Sequence, residues 1–472
     1  MLVLAALPAV ATASWDQHAV FQDDHNLLER SDAARERTLD ELKALGVDVV
    51  KAQLSWSAVA PRGRKRPAGF VASDPARYPG WPRYDALVRD VQARGMSVML
   101  ALSPPYPGWA TARRGDRVGV DRPSPRAFGG FAEAAGRRYP SVDIWTIGNE
   151  PNHPGFLYPQ ATRKRVPFAP HRYRALVREA VAGLHRSGHA GDTILFGELL
   201  PIGKSRYFRK NTIKPLRFIR EFFCLDSSWR AFRGRAARLR GCQRYRPIRG
   251  VTGFAYHPYT RPNGPRGKEP SRDDATIRSY GRLTRALDIA RKKGRIEGPR
   301  LPIWNTEFGF QSNPPDRFQT KLSRIPGFMA ESELWISLRN RRVASFSQYT
   351  MTDTAVRRRG DIFGTWQGGL RFDDGRAKKR VYDGYRLPIF VRLLGPRAVE
   401  VWGSARPGGA GALVQVQQRP SGGDFSNLGG PLTVDNARGY FRARFEISKA
   451  AHRRYRFVFD GQRSRAAKAA TR

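Results

Sequence analysis

Cysteine and acid are what this chain has least of. Its 472 residues contain two cysteines, and 41 Asp and Glu stand against 84 Lys and Arg, a formal net charge of +43. So few cysteines exclude a disulfide-built scaffold, and no His/Cys cluster has metal-ligand spacing, so no metal or cofactor is expected. Cys224 and Cys242 lie in one basic insertion. In an exported chain they are expected to be bonded to each other, with two free buried thiols as the alternative. After the N-terminus no run is long and apolar enough to span a bilayer, which argues against a transmembrane segment. No Gly-rich loop follows the first apolar run, which weakens a dinucleotide-binding open sheet. The scarcity of acid has two readings: a compositional bias carried on solvated faces, or a polyanionic partner such as an acidic polysaccharide, an anionic envelope or nucleic acid. With no aromatic-interleaved basic motif and no helix-turn-helix pattern, no specific nucleic-acid partner is expected.

What is present begins with Leu2 to Val10, an apolar stretch followed by the small residues Ala11-Thr12-Ala13. It resembles the core and cleavage site of a signal peptide, though without the usual basic start. Residues 1–14 are therefore read as a leader and the protein as secreted or extracytoplasmic.

Two stretches organise the rest. Val142-Asp143-Ile144-Trp145-Thr146-Ile147-Gly148-Asn149-Glu150-Pro151-Asn152 is an apolar run that stops on Asn-Glu-Pro, and Leu301-Pro302-Ile303-Trp304-Asn305-Thr306-Glu307-Phe308-Gly309 repeats the form. Each reads as a buried strand ending on a carboxylate. Around them strands alternate with helices. Ala19 to Phe21, Val47 to Leu54, Met96 to Leu102, Thr193 to Phe196, Val251 to Tyr256 and Val343 to Tyr349 read as the other strands. Helices between them carry apolar residues at i, i+3, i+4 and i+7, as in Tyr84, Leu87, Val88 and Val91, with Ser31 and Ser124-Pro125 as start signals. Residues 380–394 read as the last helix. Eight such units predict a (β/α)8 TIM barrel over 15–395, interrupted by the insertion at 202–249.

Beyond Pro396 the period changes to two: Phe441, Ala443, Phe445 and Ile447 alternate with Arg442, Arg444 and Glu446. A small antiparallel β-sandwich over 396–461 is expected, then a basic, disordered tail over 462–472.

In a barrel every strand opens at its C-terminal end onto one face, so Asn149, Glu150, His257, Tyr259 and Glu307 converge there. Asn149-Glu150-Pro151, His257-Pro258-Tyr259 and Thr306-Glu307-Phe308-Gly309, on strands four, six and seven, resemble the retaining glycoside hydrolases of clan A. Family 5, the cellulase-like family, is closest, and the Trp145…Asn152 stretch also resembles family 39. The resemblance implies Glu150 as acid/base, Glu307 as nucleophile, Asn149 on the sugar 2-hydroxyl, Tyr259 orienting Glu307 and His257 lining the site. Lys51 stands where the clan commonly has an Arg, Ser103-Pro104 replaces the strand-three histidine pair of family 5, and Gln348-Tyr349 ends strand eight where Trp is frequent. Trp366 is then a candidate sugar platform. Trp56, Trp109 and Trp304 are candidate stacking residues or else core.

A secreted retaining O-glycosyl hydrolase follows, acting on a polysaccharide or oligosaccharide without a cofactor and expected to be a monomer. The alternative is a catalytically inactive barrel that binds polysaccharide or another polyanion.

Overall fold

The structure, a computed structural model, describes residues 15–112, 119–206, 208–356 and 365–471. The proposed leader, residues 1–14, lies outside them. Contacts divide the chain into two units: residues 18–322 with 345–378, and residues 323–344 with 379 onward and the segment before 18.

The first unit is a closed barrel of eight parallel strands: β1 (His18–Gln22), β2 (Val49–Ser55), β3 (Ser97–Ser103), β4 (Ile144–Ile147), β5 (Thr193–Leu199), β6 (Gly253–Tyr256), β7 (Ile303–Asn305) and β8 (Val343–Tyr349), with β8 pairing β1 to close the ring. The expected order and strand count hold. Local chemistry sets the helices. Ser31 Oγ accepts from Ala34 N, and Ser124 Oγ from Ala127 N with Pro125 at the first helical position. Helices Pro125–Arg138 and Ala169–Arg186 cross at glycine, since a Cβ on Gly183 would lie 2.2 Å from the Gly129 carbonyl oxygen. No side chain could be added there without separating the helices.

Several strand ends differ from the sequence reading by a few residues, and two of them have a clear local cause. β4 starts at Ile144, because Val142 turns back onto Tyr139 through its N–H. β5 runs on past Phe196 to Leu199, through a bulge that shifts its pairing with β6 between Gly197 and Leu199. Gly197 has φ +125°, and a Cβ there would sit 2.4 Å from the Ala255 carbonyl oxygen, so the bulge requires glycine. The bulge leaves Glu198 at φ +50° and fully buried.

The insertion folds as helices Pro215–Phe222 and Gly234–Arg240, and Cys224 is bonded to Cys242 across 18 residues of chain with their Cα atoms 5.7 Å apart. Closing a loop of that length stabilises by about 3 kcal/mol in the chain-entropy model. Replacing both cysteines by Ser is therefore expected to lower the urea midpoint, with an m-value equal to or above that of the wild type because the unfolded chain is less constrained. A midpoint identical to wild type would show that the insertion folds independently of the bond.

The second unit holds helices Ile325–Arg339 and Lys379–Arg386 and two antiparallel sheets. One sheet orders β9 (Ile389–Gly395), β10 (Ala398–Ser404) and β12 (Tyr440–Glu446); the other is built on β11 (Leu413–Arg419) and β13 (Arg454–Phe459). Ile389, Val391, Val399, Val401, Val414, Val416, Phe441 and Phe457 share one core between them. Glu333 joins helix to sheet, paired with Arg406 and accepting from Tyr440 Oη at 2.7 Å.

Three expectations change here. The β-module begins at Ile389, not 396, because Ile389-Phe390-Val391 continues as a strand after the helix ends at Arg386. A cut after residue 395 would separate β9 from the strand it pairs with. The tail is paired rather than disordered: Gln462–Arg463 and Ala467–Lys468 form ladder bonds to β13. Its few apolar residues suffice because backbone pairing, with Ala467 buried beneath, supplies the contact. No helix among the described residues is long and apolar enough to cross a membrane.

Candidate active site

β4 delivers Glu150 through a sharp turn. Ile147 O accepts from Tyr173 Oη at 2.6 Å, Glu150 itself has φ +39°, and the buried Asn152 ties the turn to the next lip by donating to Leu200 O and Ile213 O, both at 3.0 Å. The carboxylate is thus held by backbone bonds on both sides. β7 delivers Glu307 one turn past Asn305, whose side-chain oxygen accepts from Ser347 at 2.9 Å.

One carboxylate oxygen each of Glu150 and Glu307 and Nδ1 of His257 lie within 4.8 Å of one another. His257, fully buried at the end of β6, contacts Glu150 Oε1 at 3.0 Å through Nδ1 and Glu198 Oε2 at 2.6 Å through Nε2, with Glu307 Oε2 3.7 Å from Nδ1. Glu198 is the partner that sequence reading missed. It also accepts from Lys51 Nζ at 2.7 Å and from Thr146 Oγ1 at 2.8 Å, with no exposure at either end of the ion pair. Tyr259 Oη donates to Glu307 Oε1 at 2.7 Å. Asn149 Oδ1 accepts from Gln53 Nε2 at 3.1 Å on the β2 side.

Protonation follows from these contacts. Burial works against a charged His257, but the Glu307 and Glu198 carboxylates outweigh it and carry the imidazole up to about 10. It is therefore an imidazolium at neutral pH, and both ring nitrogens donate. Glu198 feels burial first, yet Lys51 and His257 hold it well below the usual carboxylate range. Burial raises Glu150 to about 6, against the lowering contact of His257 and with help from Glu307 and Glu198. Asp24, at the lip of β1, is also raised by burial to about 6, while accepting from Gln53 N and Gln22 Nε2, each at 2.7 Å.

Several expected roles change. Lys51 cannot meet a sugar: it is fully buried and serves Glu198. His257 reaches the site through Glu150 rather than by its own surface. Trp56 is no platform, being fully buried, stacked on Phe131 at 5.4 Å and edge-on to Trp109 at 5.5 Å. Trp304 stacks on His18 in the barrel wall. Trp366 does stand at the site, half-buried, its ring 5.0 Å from Tyr259 and its Nε1 donating to Tyr349 O at 2.9 Å.

Glu150, His257 and Glu307 each offer one atom of the kind that holds a divalent ion, and His257 would have to release a ring proton to serve as a ligand. His171 with the two cysteines forms a second such group, and there both sulfurs are spent on the disulfide.

The solved structures this chain is similar to include glycoside hydrolases. The resemblance is one of fold. A Penicillium canescens endo-1,4-beta-xylanase, XylE, is 11% identical with TM-score 0.48, covering 79% of this chain and 93% of its own. Xylanase 10B from Thermotoga petrophila RKU-1, solved with xylobiose, is 14% identical at 0.45 over 78% and 92%. A glycoside hydrolase family 5 structure from Bacteroides vulgatus ATCC 8482 is 9% identical at 0.44 over 96% and 92%. No family model matches the sequence, and no curated protein does.

Proposed function

We propose that the chain is a retaining O-glycosyl hydrolase acting on a polysaccharide or oligosaccharide by double displacement. The observation that carries this is a pair of carboxylates, Glu150 and Glu307, with oxygens within 4.8 Å and in unlike surroundings. Carboxyl groups about 5 to 5.5 Å apart belong to a retaining pair and roughly 6.5 to 9.5 Å to an inverting one, and the configuration of the first-formed sugar tests which applies here.

Glu307, oriented by Tyr259, attacks the anomeric carbon as that carbon's bond to the leaving oxygen breaks. Glu150 gives its proton to that oxygen. Because Oε1 already accepts from His257, the transferable proton resides on Oε2. Glu150, now a carboxylate, then takes a proton from water as the water oxygen attacks the same carbon and frees Glu307. With Glu150 at about 6, the acid form is the majority below that pH, so kcat/KM falls as pH rises through it. Asn149 faces the sugar 2-hydroxyl, and Trp366 flanks the ring. Export belongs to the same reading, resting on the N-terminal apolar run and the disulfide; sequencing the N-terminus of protein recovered from the medium tests it.

One observation favours the inactive-barrel alternative: Lys51 serves Glu198, so Glu307 lacks the strand-two cation that the family resemblance implies. Hydrolysis decides between them. Wild type screened over aryl-glycosides and polysaccharides, uronate polymers included, should release a sugar of retained configuration by NMR. Glu150→Ala should lose about 10²- to 10⁴-fold on substrates with poor leaving groups and far less on activated aryl-glycosides. Azide should restore its deglycosylation, giving a glycosyl azide of retained configuration. An inverted first-formed sugar would overturn the double displacement.

A further inference from the structure

Cations on the barrel's helices are counter-paired in part: Arg35 with Asp32 and Asp90, Arg94 with Asp40 and Arg138 with Asp85, while the exposed Arg285 and Lys292 have no carboxylate partner among the described residues. The loops after β4 and β5 go further, because they carry no acid of their own. Residues 151–168 and 199–214 contain no Asp or Glu. They expose Arg163, Lys164, Arg165, Lys204, Arg206 and Lys210, none of which has a carboxylate partner among the described residues. Backbone bonds hold the two loops together: Gln160 N donates to Arg209 O at 3.0 Å and Ile213 N to Asn152 O at 2.9 Å. Across the seam the Arg165 guanidinium lies 5.0 Å over the ring of Phe208, which is 40% exposed. The surface starts at the site itself, because His153 N donates to Glu150 O at 2.8 Å.

We propose that these two loops form a docking surface for an anionic glycan, so that the substrate bears carboxylate or sulfate groups. The proposal rests on the reading of Glu150 and Glu307 as a hydrolytic pair and names the substrate class of that site. Six like charges on tied loops repel one another unless an anion lies between them. Arginine forks match the oxygens of both carboxylate and sulfate. The exposed part of Phe208, beside the Arg165 that covers one face of its ring, adds apolar area for contact with a sugar. A glycan is favoured over a nucleic acid because the surface leads to Glu150 and Glu307, the pair on which the hydrolase reading rests.

The test is binding by the full-length Glu307→Gln variant to four probes of matched length: a polygalacturonate oligomer, a sulfated dextran, a neutral dextran and single-stranded DNA. One of the anionic glycans should bind at least about tenfold tighter than neutral dextran, and the preference should shrink with added salt. Whichever of the two binds tighter identifies the anion. Arg163→Ser/Arg165→Ser/Arg206→Ser should remove about tenfold of that affinity. Arg285→Ser/Lys292→Ser/Lys293→Ser lowers net charge equally on a helix face and should change it less than about twofold. Equal binding of neutral dextran, an equal loss in the helix variant, or tighter binding of DNA than of either anionic glycan would each overturn the proposal. Wild-type hydrolysis is read separately. Cleavage of a neutral glycan without anionic preference defeats the docking surface alone, whereas anionic binding without any hydrolysis defeats the hydrolase and keeps the surface.

Discussion

Glu307→Gln is expected to lower kcat/KM by at least about ten-thousandfold on every sugar the wild type cleaves, activated aryl-glycosides included. The amide has the size of the carboxylate and can still accept from Tyr259 through its oxygen, so folding should be preserved. It has no charge with which to attack. Leaving-group ability cannot compensate, which separates this variant from Glu150→Ala, whose defect shrinks as the leaving group improves. A fluorinated glycoside trap should add one sugar mass to the wild-type peptide carrying Glu307 and nothing to the variant. Tyr259→Phe, which removes only the 2.7 Å bond to Glu307, should cost roughly ten- to a hundredfold. A Glu307→Gln enzyme keeping more than about a hundredth of wild-type activity, or a label on another residue, would reassign the nucleophile.

Lys51→Met should have the largest effect on stability, a loss of roughly 3 to 5 kcal/mol by urea denaturation at constant m-value. Lys51 and Glu198 are both fully buried, 2.7 Å apart, and removing the ammonium leaves a carboxylate that water cannot reach. Lys51→Met/Glu198→Gln removes both charges while the amide oxygen still accepts from His257 and the amide nitrogen can donate to Thr146 Oγ1, so it should regain at least half of that loss. The pH dependence has a definite sign. Glu198 is depressed from 4.5, so its contribution is present above 4.5 and fades as pH falls below it. His257 is raised from 6.5 to about 10, so its contribution is complete below 6.5 and is lost as pH rises through about 10. The gap between wild type and Lys51→Met, which reports the Lys51–Glu198 pair alone, is therefore full above pH 4.5 and narrows as pH falls below it. A single-variant cost below about 1 kcal/mol would mean that water reaches Glu198 after all.

The fold was legible where one rule acted on a long stretch. Alternating apolar runs with caps such as Ser31 and Ser124 marked the barrel, and the period-two run Phe441 to Ile447 marked the antiparallel sheets, because side-chain direction there follows directly from local backbone repeat. Glu150, Glu307, His257 and Tyr259 were legible because each follows a buried strand, and parallel strands in a ring share one open end. Reading failed where a neighbouring strand decided. The start of the β-module at Ile389 is set by its pairing with β10, and the ordered tail by its pairing with β13.

Sequence alone determined the strand order and the pair of carboxylates, since both depend on periodicities internal to the chain. Tertiary structure alone decided what surrounds that pair. Glu198 lies past a bulge, and a bulge reverses the in–out alternation that would otherwise place its side chain. Lys51 reads as a site cation until Glu198, 147 residues away, is found beneath it. Trp56 reads as a sugar platform until Phe131 covers its face. A residue's charge state and exposure depend on partners brought from distant positions, and those distances exist only once the barrel has closed.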